Sequence, residues 1–236
     1  MAQMTHGQTV LAGVIIAAVH WFDIVSVMSW LHYICMLRVP NPADRTSASF
    51  IELSFRNSFN RAILERMDDL RAPDAWLVAG CLYQTIWNLQ SDRPTTENIK
   101  DYDIFYFDAD DTSYEAEDVV IERAAALFAD LDVEVEVRNQ ARVHLWYEKK
   151  FGHPRAPLLS TMEGISSFLV SGTCVAIGAD GAGGFRTAAP YGFDDMFGGV
   201  LRPNKAYAQP DLFVEKAASY TARWPWLRTI DWDEAA

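Results

Sequence analysis

The run Ile99-Lys100-Asp101-Tyr102-Asp103-Ile104-Phe105-Tyr106-Phe107 is apolar on both faces of an extended strand after its first few residues. A strand with no polar face has to be covered on both sides, so it belongs in the interior of a sheet rather than at an edge. Residues two apart on a strand point the same way, which puts Asp101 and Asp103 on one face at the mouth of this strand. Two carboxylates about 5 Å apart repel by about 3 kcal/mol at an effective dielectric of 20. That arrangement is costly unless a cation sits between them. Mg²⁺, which takes one or two carboxylates together with substrate phosphates, fits the pattern. An Asp-x-Asp pair also serves as a solvated turn or a helix cap, so the pair needs support from its surroundings.

Two neighbouring segments supply it. Val78-Ala79-Gly80-Cys81 reads as a strand that ends at a glycine and opens a helix, a junction where backbone N–H groups at Gly80 and Cys81 approach a phosphate. In Asp132-Val133-Glu134-Val135-Glu136-Val137 the valines take one face and the acids the other. Glu136 then becomes a third carboxylate if its strand lies beside that of Asp101; the other reading is a half-exposed strand with a polar outer face. The remaining segments alternate between types. A helix is expected over Phe55 to Leu70, a strand over Trp76 to Ala79 and a helix over Cys81 to Leu89. Thr112 with Glu115 forms a capping box for a helix running to about Asp130. Val133 to Arg138 and Arg142 to Tyr147 read as a hairpin that sets His144 opposite Glu136, and Cys174–Gly178 pairs with Phe185–Ala188. Helices near Met162 to Leu169, from Asp194, and over Asp211 to Trp224 complete an α+β chain with a mixed β-sheet flanked by helices.

Taken in order, a strand–Gly–helix, a strand of the form hDhDh and a strand of the form hEh resemble the nucleotidyltransferase superfamily that includes DNA polymerase beta. More closely, Ala79-Gly80-Cys81-Leu82-Tyr83-Gln84-Thr85-Ile86-Trp87-Asn88, the Asp101 strand and Val135-Glu136-Val137-Arg138-Asn139-Gln140-Ala141-Arg142-Val143-His144-Leu145-Trp146-Tyr147 resemble a bacterial nucleotidyltransferase-like family. Ala189-Pro190-Tyr191-Gly192-Phe193-Asp194-Asp195 and Arg202-Pro203-Asn204 fit it as well, so the resemblance runs from about Phe55 to Trp232. It implies transfer of a nucleoside monophosphate from an NTP to an acceptor, with Asp101, Asp103 and Glu136 as metal-binding and catalytic residues. Two Mg²⁺ ions are implied, with Mn²⁺ as a substitute. Gly80, Cys81, Arg138, Arg142 and His144 are the candidate nucleotide contacts. The chain has Gly80-Cys81 where the superfamily usually has Gly-Gly or Gly-Ser, and a thiol is a weak donor to a phosphate. The rival expectation is a catalytically silent nucleotide-binding or interaction module that keeps the fold.

Charge ranks the acceptors. With 32 acidic and 20 basic residues the chain carries −12, which opposes duplex DNA and ranks a small molecule ahead of a protein or an RNA end. The three cysteines have no paired spacing, as in a reducing, cytoplasmic setting. Residues 1–49 are read as a hydrophobic extension and linker, and residues 50–236 as the domain. From Gly7 to Leu37 the only charge is Asp23. As one helix that run would be roughly 46 Å long, more than a ~30 Å hydrocarbon core requires. Three readings stay open for residues 7–37: a membrane anchor, a helix docked on the domain or on a partner, or an upstream extension with Met36 as the true start.

Overall fold

A computed structural model describes residues 45–152, 154–207 and 209–235. The apolar run of residues 7–37 lies outside them. Among the described residues no helix is long and apolar enough to cross a membrane.

The centre is a five-stranded mixed sheet in the order β3-β2-β1-β4-β5: β1 is Trp76–Val78, β2 Asp101–Tyr106, β3 Glu134–Asn139, β4 Ala176–Ala179 and β5 Phe185–Ala188. β2 is interior, between β1 and β3, as expected. It runs antiparallel to β1 and parallel to β3, and β4 pairs antiparallel with both β1 and β5. The β4–β5 hairpin matches its expected place. Parallel neighbours need a crossover, here the helix Tyr114–Leu127 between β2 and β3.

The two faces of this sheet are covered unequally. Tyr102, Ile104 and Tyr106 of β2 enter the main core with Leu77, Val137 and Ile177. That core is covered by α1 (Ser47–Ser54), α2 (Ser58–Glu65), α3 (Gly80–Gln90) and α4 (Tyr114–Leu127) through residues such as Phe50, Ile63, Leu82 and Ala124. α3 is buried from Gly80 to Asn88 on every side. Polar groups pin it in place. Asn57 Nδ2 donates to Thr85 Oγ1 at 3.1 Å and to the Tyr102 hydroxyl at 3.0 Å, and Asn60 Nδ2 donates to the Cys81 carbonyl at 2.9 Å. On the opposite face only a small cluster forms, from Trp76, Val78, Ile165, Ala176 and Ala188. The thin cover leaves room beside β2 for a cavity. Helices α5 (Val143–Phe151), α6 (Thr161–Ile165), α7 (Asp194–Phe197) and α8 (Pro210–Arg223) follow, with a two-stranded parallel ribbon of β6 (Val200–Leu201) and β7 (Arg228–Thr229).

Several local expectations change. The helix expected over Phe55 to Leu70 is interrupted, because Asn57 Oδ1 accepts from the Phe59 N–H and restarts the chain as α2. Ser47 to Ser49, expected as linker, open α1 under a Thr46 cap, and Phe50 and Leu53 of that helix join the core. The cap of α4 is Ser113 rather than Thr112, its hydroxyl accepting from the Ala116 N–H. The helix near Met162 stops at Ile165. The largest correction concerns Arg142 to Tyr147. No second hairpin strand exists: Asn139 Oδ1 accepts from the Ala141 N–H, a turn of 3₁₀ helix follows, and α5 begins at Val143. The apolar alternation there was coincidental with a helix face.

Arg142 consequently turns inward. Its guanidinium pairs with the buried Glu117 carboxylate, its Nε donates to the Thr112 carbonyl at 2.8 Å, and Glu117 also accepts from the Asn139 N–H at 2.8 Å. This triangle ties α4 to the end of β3 and engages Arg142, one of the candidate nucleotide contacts, in a buried ion pair. Removing one partner of a buried ion pair strands the other charge. Arg142→Ala is expected to destabilise the protein by about 3–5 kcal/mol in urea unfolding. A loss under about 1 kcal/mol would show that the pair is solvated.

Candidate functional site

The cavity beside β2 has a volume of about 480 Å³, within the range of small-ligand sites. Asp101, Asp103 and Phe105 point into it from β2, because Tyr102, Ile104 and Tyr106 take the core side. Ala79, Gly80, Tyr83 and Gln84 line it from the β1–α3 junction and the first turns of α3, and Lys216 and Tyr220 from α8.

The β1–α3 junction is bent tightly. Ala79 adopts φ 59° and ψ −127°, a conformation that costs an L-residue about 1–3 kcal/mol. The bend aims the start of α3 at the cavity, where the first N–H groups of a helix have no partner inside it. A Cβ at Gly80 would come within 2.7 Å of Gln84 Nε2, so the missing side chain is what lets the Gln84 amide pack against the start of α3. The Gln84 amide is held in turn, its Oε1 accepting from Arg223 Nη1 at 3.1 Å. Cys81 offers only its backbone. Its thiol is fully buried, donates to the Val78 carbonyl at 3.4 Å, and is pushed well up in pKa, first by burial and then by Asp103 and Asp101.

The carboxylates crowd each other. The parallel register puts Asp103 opposite Glu136, with Asp101 opposite Glu134 and Phe105 opposite Arg138. Burial, then the charges of Asp101 and Glu136, push the Asp103 carboxyl up to about 7, against the pull of Arg138 and Lys216. Glu136 is already engaged: Arg138 Nη2 donates to its Oε2 at 2.9 Å. Among the described residues no three His, Cys, Asp or Glu side chains converge closely enough to hold a metal ion. The expected three-carboxylate grip is therefore two carboxylates facing the cavity and a third tied to an arginine. Two carboxylates are the number that Mg²⁺ uses beside substrate phosphates. The mutual repulsion that raises Asp103 is also the charge a divalent cation would neutralise. On donor chemistry Asp101 and Asp103 fit a metal, and Glu136 fits only when released by Arg138.

His144, expected opposite Glu136, sits instead in the first turn of α5, with its Nδ1 enclosed and without a hydrogen-bond partner. It does not line the cavity. Gln84, Lys216 and Arg155 do, and none of them is among the residues expected there. Gln84 stands one helical turn after Gly80, a signal that was there to use. Lys216 and Arg155 lie far along the chain in segments without a motif, and only the tertiary fold brings them in.

A family model described as Nucleotidyltransferase matches residues 65–229. No curated protein sequence matches the chain. Among solved structures, an NMR structure described as a CCA-adding enzyme head domain is similar, with 23% sequence identity and a TM-score of 0.62. The match covers 79% of this chain and 97% of that one, and at that identity it speaks for the shared fold.

The strained junction makes a measurable prediction. Glycine adopts the Ala79 conformation freely, and its gain is set against chain entropy and a lost methyl contact. Ala79→Gly is expected to raise stability by roughly 0.5–1 kcal/mol in chemical denaturation. A clear loss would mean that the methyl group matters more than the bend.

Proposed function

This chain belongs to the nucleotidyltransferase family, and on that premise we propose that it transfers a nucleoside monophosphate from an NTP to a hydroxyl of a small molecule, with Mg²⁺ held by Asp101 and Asp103. The observation that carries the proposal is one cavity that gathers the start of α3 at Gly80, the Asp101–Asp103 pair and the Lys216 cation. Those are the groups that a triphosphate and its metal need.

The acceptor oxygen attacks the α-phosphorus and forms the new P–O bond. The bond to the β-phosphate oxygen breaks, and pyrophosphate leaves with the electron pair. The acceptor proton passes to Glu136. When bound, the metal lowers the charge repulsion between triphosphate and carboxylates and stabilises the leaving oxygen. The protein's own groups align the reactants. The N–H groups of Gly80 and Cys81 receive phosphate oxygens, Gly80 lets them come close, and Lys216 balances their charge. Arg138 is the further phosphate cation of the proposal, and its move to substrate would release Glu136 toward Asp103.

The net charge of −12 favours a small acceptor over a nucleic acid. The buried, unpaired thiols of Cys81 and Cys174 support work in a reducing, cytoplasmic compartment.

Pyrophosphate release from each of the four NTPs, over a panel of hydroxyl-bearing acceptors, tests the proposal. Asp103→Asn is expected to cut the rate by about 10³-fold or more. Glu136→Gln should cut it by about 10²-fold, in line with loss of a base that is only partly committed. EDTA should abolish the activity and added Mg²⁺ restore it. If no NTP releases pyrophosphate with any acceptor, while titration still shows Mg²⁺-dependent NTP binding, the chain is a silent nucleotide-binding module.

A further inference from the structure

Arg155, in the stretch between α5 and α6, has no role in the chemistry above. Its guanidinium lies over two rings, 5.0 Å from the centroid of Tyr147 and 5.4 Å from that of Tyr207. Nη2 donates to Ser167 Oγ at 2.5 Å. Among the described residues no carboxylate pairs with it. Its Nε is enclosed and has no hydrogen-bond partner. The guanidinium therefore carries its charge without a carboxylate partner, and an anion reaching its outer nitrogens would supply the counter-charge. The two rings hold the planar fork in one orientation, the arrangement that suits a two-oxygen anion.

Arg155 shares the cavity of the nucleotide groups and also reaches beyond it. Arg155, Tyr147, Tyr207 and Gln209 line the cavity of Asp101 and Asp103, and they also line a neighbouring cavity of about 440 Å³ walled by Pro154, Pro157, Leu158 and Glu163, whose carboxylate accepts from the Leu159 N–H at 2.7 Å. The stack therefore marks the junction of two spaces. The cations acting on the Asp103 carboxyl are Arg138 and Lys216. The neighbouring cavity is the size of a small-molecule site and far below what a folded nucleic acid occupies.

We propose that the Tyr147–Arg155–Tyr207 stack is the acceptor subsite, in which Arg155 holds a carboxylate or phosphate group of a small acceptor seated in the neighbouring cavity. The acceptor's hydroxyl then points through the junction toward Asp101 and Asp103. The acceptor role rests on the nucleotidyl-transfer reading above; the anion site stands on its own geometry.

Isothermal titration on the full chain tests both parts, with Mg²⁺ and a non-hydrolysable ATP analogue present and then absent. The probes are phenyl phosphate, benzoate and uncharged benzamide. At least one of the two anions is expected to bind tenfold or more tighter than benzamide, and which one does so tells phosphate from carboxylate. Arg155→Ala should weaken that anion at least tenfold while leaving the ATP analogue within twofold. Arg155→Lys, which keeps charge and packing on the rings, should fall between, and Ser167→Ala should weaken the anion about threefold. No preference for either anion over benzamide overturns the proposal. So does an equal loss of ATP analogue in Arg155→Ala, which would make Arg155 a triphosphate contact. If wild type binds the anion but no nucleotide, the nucleotidyl-transfer reading fails and the acceptor role falls with it, while the anion site remains.

Discussion

Tyr102, Ile104 and Tyr106 have to face the main core, and that requirement turns Asp101, Asp103 and Phe105 of the same strand to the other side. Most of the architecture follows from this division. An interior strand with acids on one face cannot be roofed there by apolar side chains, so the small cluster around Trp76 and Val78 stops short and a cavity remains. The β1–α3 bend, at Ala79, aims a helix start into the same space. The parallel pairing with β3 adds Glu136 from the opposite flank. Charge crowding, helix direction and strand register thus meet at one point because a single strand is divided.

Much of this could be read from the residues. The two-sided apolar character of Ile99 to Phe107 placed β2 in the interior, the glycine after Val78 marked the strand-to-helix junction, and the alternation in Asp132 to Val137 put Glu136 on the acid side. These succeed because a period of two and a glycine are local signals. Arg142 to Tyr147 misled for the same reason. Six residues that alternate apolar and polar fit a strand and one face of a helix alike, and what decided between them was Asn139 capping the turn. Lys216 and Arg155 were hidden for a different reason. Their importance lies in what faces them across the fold, and no spacing along the chain encodes that.

The ion pairs divide into two kinds. Glu117–Arg142 is enclosed, shares Asn139 and Thr112, and holds the crossover helix to the sheet. Glu136–Arg138 is half exposed, links residues two apart on one strand, and lies across the parallel register from Asp103 and Phe105. In solvent such a pair contributes little to stability. Rearranging it is cheap on the scale of phosphate binding, whereas rearranging the first would unfold the crossover. The same two residue types therefore serve as a rivet in one place and a latch in the other.

α3 is enclosed from Gly80 to Asn88, while the outer faces of α5 and α8 meet solvent at Leu145, Leu212 and Val214. The molecule is thus unequal in its freedom to change. Substitutions in α3 disturb a packed interior on all sides, so that end of the site has little room for drift. Substitutions at exposed positions such as Leu145, Leu212 and Val214 touch few neighbours. The freedom to change without loss of the scaffold therefore lies on the outer faces of α5 and α8, outside its packed interior.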